Sequence, residues 1–203
     1  DQAGVEYPTD DMTYDDLVAL ATELKDKLPE GFEIFYEIVG YVNETTPIMG
    51  TVSNSKVKDK EFKKKFGDTT VFSYGCKPGE NEMYVYRMTA TTADGTVVEI
   101  PWENIKVWCD KLGVKHVPEL EKFIYTTPED LKERVNKYLD GMPVDEIGKT
   151  HIAEGVVVRI DNRDSFTAYK CSNSRYVKEL LKTIQTHQTW KKQKNCLRRL
   201  YNE

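Results

Sequence analysis

The segment from Glu154 to Asp161, EGVVVRID, constrains this chain more than any other. Val156, Val157, Val158 and Ile160 are β-branched, and their crowding near the backbone favours an extended strand over a helix. Charge sits only at the ends, with Glu154 at the opening and Arg159 and Asp161 at the close. Gly155 beside the carboxylate lets a ligand or another backbone come near. A carboxylate at the mouth of an apolar strand is either a solvated strand opener or a ligand for a hard divalent cation. The next segment, SFTAYKC, reads as a second strand joined to the first through Asn162, Arg163 and Asp164. It carries Lys170, which is either a solvent-face lysine or a cation that holds a phosphate near the carboxylate.

The same reading extends along the chain. MTYDDLVALATELKDKL has the spacing of an amphipathic helix, with Thr13 as N-cap and Leu17, Leu20, Leu24 and Leu28 on one stripe. GFEIFYEIVGYV predicts a strand on which Phe35, Glu37 and Val39 share one face. A carboxylate among apolar neighbours requires a partner, so Glu37 accepts from either a sugar hydroxyl or a basic side chain. EMYVYRMTATTADGTVVEI predicts two strands with a turn at Ala93-Asp94-Gly95. Tyr84 and Tyr86 fall on one face of the first, as core packing or as a platform for a flat heterocycle.

Helices are expected in PWENIKVWCDKLG, stopped by Gly113, and in TPEDLKERVNKYLDG, with Thr127 as N-cap and Pro128 at the first position. VPELEKFIY between them predicts another strand. SKVKDKEFKKKFGD reads as a solvated helix or loop, and the tail after Ser172 as helical and basic. Strands and helices alternate without a regular βαβ rhythm, which predicts an α+β fold with mixed or antiparallel sheets.

Two hundred and three residues suffice for one sizeable domain, expected over 1–185, with a basic helical extension over 186–203. No apolar run is long enough to span a bilayer, and the first residues lack the pattern of a signal peptide. The net charge of -5 argues against nucleic-acid binding by bulk charge and leaves local basic runs as the candidates. These are Lys56, Lys58, Lys60, Lys63, Lys64 and Lys65, and the tail residues Lys191, Lys192, Lys194, Arg198 and Arg199, with Trp190 placed to stack on a base. Cys76, Cys109, Cys171 and Cys196 form no C-x-x-C pair and no zinc pattern, so they read as reduced thiols of a cytosolic protein.

The order of these segments resembles the covalent nucleotidyltransferases, which comprise DNA ligases, RNA ligases and mRNA capping enzymes. FEIFYEIVG is similar to that superfamily's third motif, YVYRM to the aromatic motif after it, EGVVVR to the fourth and the Lys170 strand to the fifth. The wording EIVG, EGVVVR and YKC is nearest to RNA ligases of phage type. The resemblance implies an ATP-grasp-like adenylation domain that uses ATP and Mg2+ or Mn2+ to join RNA, or DNA, ends. A lysine is adenylated, AMP passes to a 5′-phosphate, and a 3′-hydroxyl displaces it. On this resemblance Glu37 binds the ribose, Tyr86 stacks on adenine with Tyr84 as the alternative, Glu154 serves the metal, and Lys170 contacts the α-phosphate.

Two features depart from the family pattern. Its first motif, K-x-D-G or K-x-x-G, supplies the nucleophilic lysine and precedes the third. Neither Lys25 nor Lys27 is followed by the required glycine. KYLDG at Lys137 has one residue too many and follows the third motif. The expectation is a domain lacking its N-terminal portion, with the nucleophile upstream and this chain inactive alone in lysine adenylation. The fifth motif's K-x-K is here Lys170-Cys171-Ser172, so Lys178 or Arg175 replaces the second lysine, or it is absent. A DNA ligase or capping guanylyltransferase domain, and a non-catalytic nucleic-acid-binding relative, remain the alternatives. The setting expected is cytoplasmic, phage-encoded or nuclear, in RNA repair.

Overall fold

Alternating aromatic and β-branched residues make two long strands, β1 (Phe32–Asn43) and β5 (Asn81–Thr91), the centre of the fold. The computed structural model describes residue 19, residues 22–24 and residues 27–176. β1 and β5 pair antiparallel from Phe32 opposite Ala90 to Gly40 opposite Asn81. The register shifts between Phe35 and Tyr36, which leaves Tyr86 as the extra residue of a bulge. β2 (Thr46–Pro47) lies outside β1. β6 (Val97–Glu99), antiparallel, and β7 (Lys115–His116), parallel, share the other edge of β5.

Residues directly opposite each other share a face, so Ile38 with Met83 and Ile34 with Met88 point the same way. That face is the core. It packs on Ile105, Cys109 and Leu112 of α2 (Trp102–Leu112), together with Leu24 and Val85. Complete burial of Ile105 contributes about 1.5–3 kcal/mol. Glu37 opposite Tyr84, and Phe35 opposite Arg87, lie on the other face.

A second core forms where β3 (Thr51–Ser53) and β4 (Thr69–Val71) pair. It gathers Val52, Val57, Phe62, Phe72, Ile152 and Tyr176. The lysine-laden stretch becomes α1 (Lys60–Phe66), capped by Asp59, with Phe62 wholly buried and the lysines outside. β8 (Gly155–Ile160) and β9 (Thr167–Ser172) form a separate antiparallel hairpin. α3 (Pro128–Leu139) starts at the Thr127 cap as its sequence predicts. The α+β expectation holds: several sheets, mostly antiparallel, with helices set against them.

One expected element does not form. VPELEKFIY is irregular, not a strand. Pro118 removes a ladder donor, and its charged residues find helix partners in place of a strand. Glu119 pairs with Lys106, Lys122 with Glu103, and Glu121 with Arg134, while the Leu120 carbonyl accepts from Tyr138. Ile124 is left almost fully exposed. Of the leading helix, residues 22–24 and 27 are helical and Leu24 is buried; Thr13, Leu17 and Leu20 lie outside the described residues. So do the basic tail and the expected boundary at 185. No helix among the described residues is long and apolar enough to cross a membrane.

Candidate functional site

The far end of β8 fastens the hairpin to the main sheet. The Arg159 guanidinium donates to the Ile100 carbonyl at 2.8 Å and to the Tyr86 carbonyl at 3.3 Å. α2 begins at Pro101, which provides no side-chain cap. The Asp161 carboxylate supplies one, accepting from the Trp102 N–H at 2.9 Å, where the helix dipole also favours negative charge. Arg159 and Asp161 bind each other at 3.2 Å. Arg87 pairs with Glu99 and lies over the rings of Phe35 (4.5 Å) and Phe166 (4.8 Å). It joins β1, β5, β6 and the hairpin loop in one stack.

The near end carries the predicted chemistry. Glu154 Oε2 lies 3.3 Å from Lys170 Nζ. Its Oε1 accepts from the Tyr74 hydroxyl at 2.9 Å. Gly155 is required for packing, because a Cβ there would sit 2.2 Å from the Cys171 carbonyl oxygen. The Glu154 carbonyl accepts from Asn173 N–H, which closes the hairpin behind the carboxylate.

Glu37 belongs to the same group. Its side chain keeps contact with solvent, yet much of its surroundings is protein. Burial raises its carboxyl above the usual glutamate range, the Glu154 charge raises it further, and Lys170 partly offsets both. Glu154, just ahead of β8, and Lys170 of β9 are therefore in contact, and Glu37 of β1 lies near enough to feel both charges. Tyr84 stands opposite Glu37, and burial pushes its hydroxyl up to about 12. Tyr86 sits at the bulge with its carbonyl held by Arg159.

Two tyrosines at this carboxylate escaped the sequence reading. Tyr74 comes from the irregular stretch before β5, and Tyr176 follows β9. Burial first, and the Glu154 charge second, push both hydroxyls above the ordinary tyrosine value, so both stay protonated. Tyr74 lies in no periodic segment, and Tyr176 stands in a stretch read only as a basic helix, so neither was marked. Arg175, a candidate for the second basic residue, lies 3.5 Å from Asp59 at the head of α1; Lys178 is outside the described residues. In the other basic run, Lys63 donates to the Ser55 carbonyl and Lys65 to that of Met142. The tail residues Lys191, Lys192, Lys194, Arg198 and Arg199 also lie outside.

Among the described residues no three His, Cys, Asp or Glu side chains are grouped to cage a metal. One or two carboxylates suit a cation of the Mg2+ type, which keeps its waters and takes the rest of its ligands from substrate phosphate. Glu154, with Glu37 near it, offers that donor set, and Lys170 is a further positive group for phosphate oxygens.

A family model described as RNA ligase matches residues 5–195. The chain belongs to the RNA ligase family. The match spans both sheets, the hairpin and the charged group at Glu154. No curated protein matches this family member.

Proposed function

We propose that this RNA ligase family member carries the nucleotidyltransferase site of an ATP-dependent RNA ligase. The reaction joins 5′-phosphate and 3′-hydroxyl ends through an enzyme–AMP adduct and then a 5′-adenylated strand. The observation that carries the reading is the ion pair of Glu154 with Lys170, 16 residues apart (170 − 154), whose charges both act on Glu37 of β1.

Each group has a task that its chemistry suits. Glu37 accepts from the ribose hydroxyls. Tyr86 stacks on the adenine, with Tyr84 as the neighbouring ring on β5. Lys170 leaves Glu154 to meet the α-phosphate, where its positive charge stabilises the charge that develops as the phosphorus–oxygen bond breaks. Glu154, freed of that ion pair, holds Mg2+ or Mn2+. Such an ion, when bound, polarises the phosphate oxygens. Since no lysine ahead of FEIFYEIVG stands in a K-x-D-G or K-x-x-G context, the nucleophile on this reading comes from outside these 203 residues. The tail lysines and arginines hold the RNA backbone by charge without reading its sequence.

The test is incubation of the intact protein with α-labelled ATP or GTP and a nicked RNA. Labelling by ATP followed by sealing is expected. Labelling by GTP alone would overturn the reading in favour of a capping-type transfer.

A further inference from the structure

Tyr74 is held in place by more than a buried ring needs. Its backbone has φ 52°, in the left-handed region that bulky residues rarely adopt. Such a conformation persists only where the surroundings enforce it. Here the 72–76 and 145–151 stretches cross backbone to backbone. A Cβ on Gly148 would lie 2.1 Å from the Tyr74 carbonyl carbon, and one on Gly75 would lie 2.9 Å from Gly148. The 145–151 stretch is itself rigid, because the Asp145 carboxylate accepts from the N–H groups of Gly148, Lys149, Thr150 and His151.

His151 completes the clamp. It is wholly buried and meets the Tyr74 ring edge-on at 4.6 Å and the Phe72 ring at 4.8 Å. Its Nδ1 donates to the Ile152 carbonyl at 2.9 Å, which orients the imidazole. Two crossing loops, a left-handed backbone and a buried ring therefore fix one hydroxyl, and that hydroxyl donates to Glu154 Oε1 across 80 residues of sequence.

We infer that Tyr74 is a positioning residue for Glu154, holding its carboxylate in the orientation that binds the divalent cation. The inference rests on the reading of Glu154 as the metal-binding carboxylate. Lys170 shares the carboxylate through the other oxygen and is the partner that a phosphate draws away. Tyr74 has no such alternative, so it keeps the carboxylate oriented when Lys170 moves. A hydrogen bond that orients a metal-binding carboxylate raises its affinity by restricting its freedom, and loss of such a partner commonly costs about 10–100-fold in metal affinity.

The test is Mn2+ binding to the full chain, followed by electron paramagnetic resonance. Tyr74→Phe keeps the ring and removes only the hydroxyl. It is expected to weaken Mn2+ binding by about ten-fold, with an unchanged circular dichroism spectrum. Glu154→Gln is expected to abolish binding at this site. His151→Phe, which alters the clamp without touching the hydroxyl, is expected to weaken binding by a smaller factor. Wild-type Mn2+ affinity in Tyr74→Phe would overturn the inference and leave the metal role of Glu154 standing. Wild-type affinity in Glu154→Gln would overturn that role and the inference with it.

Discussion

At one end of β8, Arg159 and Asp161 bind main-chain groups of a neighbouring sheet and helix. At the other end, Glu154 meets side chains instead, those of Tyr74, Tyr176 and Lys170. Exposure does not separate the two ends. The Arg159 and Asp161 side chains are 17% and 31% accessible, and those of Glu154 and Lys170 are 22% and 33%. Their partners do separate them. A backbone carbonyl or N–H has no other place to go, so losing Arg159 strands a polar group and charges the fold for it. A lysine at the protein surface is readily rehydrated, so the Glu154–Lys170 pair can open when a ligand offers better contacts. Identical kinds of charge thus serve as a fastening at one end and as a displaceable ion pair at the other.

The sharpest way to break this comparison is Glu154→Ala. Ligation by the intact protein should be lost, a fall of about a thousand-fold or more, while the chain stays folded with a urea midpoint only slightly lowered, since the Tyr74 hydroxyl loses its acceptor. Retained ligation would remove Glu154 from the site.

Arg159→Ala should do the reverse and cost about 2–3 kcal/mol of stability, read as a lower urea midpoint. Arg159→Lys should recover only part of it, because an ammonium cannot serve two separated carbonyls and a carboxylate together. An Arg159→Ala chain as stable as wild type would show that the far end is no fastening.

Asp161→Asn tests the smaller half of that fastening. It keeps an acceptor for Trp102 N–H but removes the charge at the helix start, with an expected loss of about 0.5–1 kcal/mol.

The smallest effect is expected from Glu37→Gln. A raised carboxyl value means that the folded chain holds its proton to higher pH than the unfolded chain. Stability therefore falls as pH rises from the ordinary glutamate range to the raised value. Urea midpoints between about pH 4 and 7 should decline less in Glu37→Gln than in wild type. Since Glu37 keeps solvent contact, the difference is modest. An unchanged slope would show that burial and the Glu154 charge do not raise the Glu37 carboxyl.

Much of the site was legible in advance because its residues stand in regular segments. Glu37 shares a strand face with Phe35 and Val39, and the antiparallel pairing with β5 bears that out by setting it opposite Tyr84. Lys170 sits on β9 and Glu154 one residue ahead of β8, places that follow from the strand-forming runs beside them. The failure at 117–125 shows the opposite case. Val117, Leu120 and Ile124 look strand-like, but past the Val117 bond to the Val85 carbonyl, Pro118 and the ion pairs to α2 and α3 outweigh a weak β preference. α1 falls between the two. Its lysine density suggested a solvated stretch, and Phe62, with Phe66 beside it, ties it into a core.

The sequence alone determined the long strands, the Thr127 cap and the order of the charged motifs, because β-branching, proline, glycine and side-chain period act over a few neighbouring residues. Only the tertiary structure decided what those charges touch. The Tyr74 hydroxyl on Glu154, the Asp161 cap on α2, the Arg159 bond to Ile100 and the buried His151 behind Tyr74 join residues that local patterns leave unrelated. Such contacts between distant segments leave no periodic trace along the chain, and they form only once the two cores have brought the loops together.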